Sequence, residues 1–212
     1  MPADDNIGCP PPFVPSDDPA MRARLAASHV AIIGCGGLGS NAAAMLLRSG
    51  VGHLTLIDFD VVEKGNLNRQ LFFHDQIGMR KTDALAETLR RIDPGAALTL
   101  VHECMTPENL LATVGAADVV IEAVDRAEVK AMITNVLCGA APELPLVGAS
   151  GLAGVRSAND VVTEQIGEHF YLIGDCTSDV RDGLPLLASR VMVAAAHQAH
   201  AAIRILLGHA EP

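Results

Sequence analysis

Tryptophan is absent from the 212 residues, tyrosine occurs once, at Tyr171, and aromatic side chains make up only 3% of the chain. The core therefore has to be aliphatic, built from the Ala, Val, Leu and Ile that carry an apolar share of 50%. Such a core suits a parallel sheet sandwiched between helices. Positive charge is also scarce: 15 Lys and Arg face 25 Asp and Glu, for a net charge of −10. This balance gives no general attraction for nucleic acid or anionic lipid, so any phosphate site must rest on local cations and backbone N–H groups. The five cysteines, Cys9, Cys35, Cys104, Cys138 and Cys176, form no Cys-x-x-Cys pair. Their scatter argues against structural zinc and a disulfide framework, and for a reducing, cytoplasmic setting. The opening MPADDNIGCP has no basic-then-apolar pattern, so a signal peptide is not expected. The longest apolar stretch is broken by His197, Gln198, His200 and Arg204, which excludes it as a membrane span.

The length suits one α/β domain. Residues 1–18, rich in Pro and Asp, are expected to be a disordered tail, and residues 19–212 a single domain. A short helix is expected over Met21–Ala27. Buried-strand patterns stand at His29–Gly34, Leu54–Asp58, Ala97–Val101, Asp118–Ile121 and Pro145–Ala149, with two or three short strands between Val155 and Ile173. Helical periodicity marks Leu38–Ser49, Lys81–Ile92, the Val129–Leu137 region and an Ala-rich Leu184–Leu207. Thr106-Pro107 predicts an N-cap and first helical position. The alternation through residue 150 argues for an α/β fold with a doubly wound, mostly parallel, Rossmann-like sheet, short extra strands and a long C-terminal helix.

Gly34, Gly36 and Gly39 satisfy G-x-G-x-x-G directly between the first strand and its helix, and Asp58 stands 19 positions after Gly39, ending the second strand. Glycine permits a tight turn and close approach of a phosphate to the helix N-terminus, and the acid can accept from ribose hydroxyls. The loop alone does not separate NAD from ATP. The following DFDVVEKGNLNRQLFF supplies Asn66, Arg69 and Gln70, and Lys81 opens the next helix. An Arg and a Lys at one nucleotide site suit a triphosphate and stabilise charge on a leaving pyrophosphate. An NAD-dependent oxidoreductase explains the glycine loop but not this cluster. Asp125 follows the fourth strand, where carboxyl ends face the ligand crevice; it can hold phosphate-bound Mg²⁺ or cap the next helix.

GCGGLGS, DFDVVEKGNLNRQ, the Lys of GMRKTDAL, the Asp after the fourth strand and PLVGASGLAG together resemble the ThiF/MoeB/HesA family, bacterial relatives of the ubiquitin-activating enzymes. FYLIGD followed by LPLLASRVMVAAAHQAH is more similar to the short ThiF proteins than to the longer zinc-containing members. The resemblance implies an ATP loop at Gly34, Gly36, Gly37 and Gly39, ribose binding by Asp58, phosphate contacts from Asn66, Arg69, Gln70 and Lys81, and Mg²⁺ at Asp125. It implies a nucleotidyltransferase, a homodimer that adenylates the C-terminal Gly-Gly of a ubiquitin-like sulfur carrier such as ThiS in thiamin biosynthesis. Arg69, Lys81 and Asp125 are then the catalytic candidates. Three departures stand out: the zinc cysteines are missing, Arg126 replaces the usual Asn after the site Asp, and the N-terminal RYxRQ-type segment is absent, leaving Arg22 or Arg24 as substitutes.

The implied reaction needs no general base, since a glycine carboxyl with a pKa of about 3.5 is ionised at neutral pH; positioning and charge neutralisation remain. The glycines of Ser150–Gly154 can admit an extended Gly-Gly tail or simply reverse the chain. Cys176 lies where some family members carry a covalent thiol but reads as a surface thiol; Cys35 is expected beside the phosphates, and Cys104 and Cys138 in or near the core. His197 and His200, at i and i+3, read as packing residues rather than metal ligands. The Ala-rich last helix is apolar nearly all round, so it must be buried in the core or against a second subunit. Competing classes are an enzyme for a tRNA-borne carboxylate and a non-catalytic nucleotide-binding scaffold.

Overall fold

The computed structural model describes residues 18–209. The expected tail lies outside them, apart from Asp18, whose Oδ1 accepts from the N–H groups of Ala20 and Met21 and caps the helix α1 (Pro19–Ala26). The chain continues through β1 (His29–Ile33), α2 (Gly37–Arg48), β2 (His53–Ile57), α3 (Lys81–Ile92), β3 (Ala97–Val101), α4 (Leu110–Val114), β4 (Val119–Glu122), α5 (Ala127–Ala140), β5 (Leu146–Ala149), β6 (Val162–Gln165), β7 (Phe170–Gly174) and α6 (Ala188–Leu206). Seven strands form one sheet in the order β3-β2-β1-β4-β5-β7-β6, parallel except for the antiparallel edge strand β6. The strand order reverses between β1 and β4, as in doubly wound folds.

The sequence dictates this sandwich because the central strands are apolar on both faces. Val30 and Ile32 of β1 enter a core with α2, α3 and α6, while Ala31 and Ile33 enter the opposite core with α4 and α5. Each fully buried Leu or Ile contributes roughly 1.5–3 kcal/mol. Tyr171, the single tyrosine, is buried on β7 opposite Val147 of β5.

Two local expectations are corrected. The helix after β3 starts at Leu110 with Asn109 as its N-cap, not at Thr106, because Asn109 Oδ1 instead accepts from the Thr106 N–H at 2.8 Å and ties off a preceding turn. Cys104 and Cys138 are exposed rather than in the core. Cys138 falls on the outer face of α5, whose buried side is carried by Ile133 and Leu137. The Ala-rich α6 is absorbed within its own chain. Ala194, Ala195, Ala199 and Ala202 let it lie along α2 and across the sheet, while Met192 on the same helix stays exposed.

Candidate active site

A cleft of about 390 Å³ opens at the carboxyl ends of the strands, over the point where strand order reverses. Its lining includes the glycine loop, Asp58, Arg69, Gln70, Lys81, Asp125, Lys130 and Ser150–Ala153. The exposed Phe59 stands at its rim.

The loop glycines divide into two kinds. Gly34 has φ +96°, and a Cβ there would lie 2.6 Å from Ala123 O. A Cβ at Gly39 would lie 1.8 Å from Gly34 O, and one at Gly37 2.9 Å from Val191 Cγ1 on α6. These three glycines are demanded by packing. At Gly36 a Cβ would meet nothing nearer than Gln70 Nε2, at 3.7 Å. Gly36 is also the N-cap of α2 and provides no side chain to satisfy the helix's first N–H groups. Those donors and the helix dipole make an anion site. The adjacent Gln70 Oε1 is buried with no partner among the described residues, so its amide keeps hydrogen-bonding capacity for a ligand.

Ser40 and Asn41 fasten the segment after β2 onto this loop. Ser40 Oγ donates to Gly36 O and accepts from the Leu71 N–H; Asn41 Nδ2 donates to Gly37 O and Arg69 O. Arg69 thus hangs beside the glycine loop, its guanidinium donating to Gly65 O and Asn68 Oδ1. Asn66 does not line the cleft; its Oδ1 accepts from the Glu63 N–H at 2.9 Å and shapes the turn that presents Arg69.

Asp58 is buried. Its Oδ2 accepts from the Cys35 N–H at 2.7 Å and its Oδ1 from the Asp60 N–H at 2.8 Å, leaving acceptor capacity toward the cleft. Lys81 is buried too, and its Nζ donates to Asp60 Oδ2 at 2.7 Å. Cys35 sits behind the loop. Burial first, then the nearby Asp58 carboxylate, pushes its thiol well above the ordinary range, so it stays a neutral packing group.

Asp125 is exposed at the cleft wall and is not the helix cap: Arg126 occupies that position without a side-chain bond. Arg126 pairs with Glu128 instead. Among the described residues no group of three His, Cys, Asp or Glu side chains could hold a metal. One exposed carboxylate is what an ion shared with substrate phosphates requires, and Asp125 fits Mg²⁺ held in that way. His197 shares a 3.0 Å hydrogen bond with Thr163, and His200 is exposed. Neither Arg22 nor Arg24 lines the cleft, and Arg24 donates to Leu206 O at the end of α6.

Two ion pairs to buried carboxylates were invisible in the sequence because their partners lie on different elements. Lys130 Nζ holds Glu122 at 2.8 Å, and Arg190 Nη2 holds Asp175 Oδ2 at 2.6 Å, with both side chains of the second pair 4% exposed. Burial alone would raise the Asp175 carboxyl, but N–H groups of Ser178 and Thr177, the Ser178 hydroxyl and Arg190 together bring it well below its usual value. Cys176, next in line, has φ +55°. Burial and the acids Glu164 and Asp175 raise its thiol pKa, which weakens it as a nucleophile.

The fold is a doubly wound α/β domain whose cleft is lined by a glycine loop, Arg69 and Lys81. The ThiF family model matches residues 12–212, and the chain belongs to this family. It is 34% identical to molybdopterin-synthase adenylyltransferase of Escherichia coli (strain K12) over 192 residues, 87% of this chain and 75% of that one. It is 36% identical to the tRNA threonylcarbamoyladenosine dehydratase of the same organism over 132 residues, 61% of this chain and 48% of that one. The matching stretch of the Xenopus laevis adenylyltransferase and sulfurtransferase MOCS3, 37% identical, spans only 28% of that protein. Among solved structures, the E. coli dehydratase in complex with ATP superposes with a TM-score of 0.81 over 89% of each chain; at 23% identity this is a likeness of fold.

Proposed function

We propose that this chain is an ATP-dependent adenylyltransferase that activates the C-terminal Gly-Gly carboxylate of a ubiquitin-like sulfur carrier protein and releases pyrophosphate. The observation that carries this reading is the convergence, around one cleft, of an open-faced Gly36, Arg69, Lys81 and Asp125. Attack by the carrier carboxylate oxygen on the α-phosphorus forms the acyl-phosphate bond as the bond to the pyrophosphate oxygen breaks. The nucleophile is already ionised, so no side chain has to remove a proton. The α2 N–H groups hold phosphate oxygens, Asp58 accepts from ribose hydroxyls, and Lys81 and Arg69 neutralise the departing pyrophosphate. Lys81 must exchange Asp60 for a phosphate as ATP enters. Asp125 would hold Mg²⁺ carried by the phosphates, and the ion would supply further charge neutralisation.

A ThiS-like carrier, and with it thiamin synthesis, is our first choice on the resemblance of residues 170–200 to the short ThiF proteins. The similarity to the E. coli tRNA threonylcarbamoyladenosine dehydratase favours a second reading, a tRNA-borne carboxylate; the net charge of −10 weighs against it. ATP–pyrophosphate exchange with Mg²⁺ decides between them. Exchange that depends on a Gly-Gly-ended carrier supports the first reading. Exchange driven by tRNA alone moves the assignment to the second, and tight ATP binding with no exchange under any acceptor leaves a scaffold.

A further inference from the structure

We infer that Lys130, gripped by Glu122, is a positioning residue that sets the separation across the cleft between the Asp125 loop and the Ser150–Gly154 loop, and that the latter receives the extended Gly-Gly tail. The inference rests on the adenylation reading above. β4 and β5 share only two register pairs, Val120 with Leu146 and Ile121 with Val147. By contrast β1 and β4 share four, as do β5 and β7. Backbone pairing therefore stops short of the cleft between the two strands whose following loops carry Asp125 and Ser150–Gly154.

Side chains close that gap. Lys130, the fourth residue of α5, donates to both Glu122 carboxylate oxygens at 2.8 and 3.0 Å and to Ala149 O at 3.0 Å. Glu122 Oε1 also accepts from the Val124 N–H at 2.8 Å. One ammonium thus ties the end of β5 to the end of β4, one residue before the glycine-rich loop. Gln198 of α6 makes a second brace, donating to Glu122 O at 2.9 Å and Val147 O at 3.2 Å. The Glu122 side chain lies against Gly148, where a Cβ would be 3.5 Å from Oε2. Burial raises the Glu122 carboxyl while the Lys130 ammonium opposes the rise, so an unaided Glu122 would be poorly held.

A pair that merely satisfies a buried carboxylate would be dispensable once both charges are removed; a brace would not. The test is the double variant Glu122→Gln/Lys130→Met, which removes both charges but also the bond to Ala149 O. We expect it to stay folded and bind ATP as the wild type does. Its KM for a Gly-Gly-ended ubiquitin-like protein in ATP–pyrophosphate exchange should rise about tenfold, the equivalent of one charge-assisted hydrogen bond. Amide exchange over Leu146–Gly154, read by mass spectrometry without nucleotide or carrier, should quicken while the glycine loop stays unchanged. Lys130→Arg alone, which keeps donors for both partners, should retain the wild-type protection. Wild-type carrier KM or unchanged amide exchange in the double variant overturns the inference; if the double variant does not fold, Lys130→Arg is read instead, and faster exchange over Leu146–Gly154 with a wild-type carrier KM overturns it. Absence of carrier-dependent exchange in the wild type removes the adenylation reading instead, and the amide comparison still decides whether Lys130 positions the loop.

Discussion

At the scale of single residues, the glycine motif conceals two different demands. Gly39→Ala drives a methyl into the Gly34 carbonyl, and overpacking against backbone should cost at least about 1–3 kcal/mol in chemical denaturation. Gly36→Ala meets no such obstacle, so it should unfold like the wild type yet bind ATP more weakly, measured by equilibrium titration. Equal loss of stability in both variants would assign Gly36 to packing as well. Lys81→Ala should lower ATP–pyrophosphate exchange by roughly 10²–10³-fold, the scale of a lost electrostatic contact in a transition state; retained exchange would remove its role. The motif residues were legible in the sequence because a phosphate loop is local, each part within a few positions of the next. What was not legible is that Asp60 already occupies the Lys81 ammonium, and that Ser40 and Asn41 hold the Arg69 segment against the loop. The thiols follow from exposure. Iodoacetamide should label Cys104 and Cys138 readily, Cys176 more slowly and Cys35 only on unfolding, and ATP should protect Cys104, which lines the cleft.

At the scale of elements, strand and helix order was readable from periodicity, since the central strands are apolar on both faces and α3 shows its stripe. The interlocking of element ends was not. Arg190 at the start of α6 holds Asp175 just after β7 and also donates to Arg156 O and Ser157 O, lacing three segments that no local pattern connects. Arg190→Met leaves Asp175 buried without its cation and should cost about 3–5 kcal/mol of unfolding free energy. The sign of the pH dependence follows from the lowered Asp175 carboxyl. Its stabilisation is complete above the ordinary carboxylate range and is lost as pH falls through that range toward the lower folded value. Glu122, raised by burial, acts in the opposite direction, so the two are separated by comparison with Asp175→Asn. The stability gap between wild type and Asp175→Asn in urea unfolding should narrow as pH falls through the carboxylate range; a gap independent of pH would contradict the assignment.

At the scale of the whole molecule, the reversal of strand order between β1 and β4 gathers loops that are far apart in the chain into one crevice. That gathering made the site's location predictable from fold class, even though distances between its groups were not. The homodimer is expected from family resemblance and from the apolar last helix; α6 packs mainly on its own α2 and sheet but leaves Met192 exposed, and sedimentation velocity would test the assembly. The acidic surface remains a bulk property that disfavours polyanionic acceptors. The near-absence of aromatic rings has an optical consequence. With no tryptophan, and its single tyrosine buried in β7 away from the rim, the protein is almost dark under excitation at long ultraviolet wavelengths. Phe59→Trp would place a solitary indole at the mouth of the cleft, turning the chain into its own fluorescent gauge of occupancy.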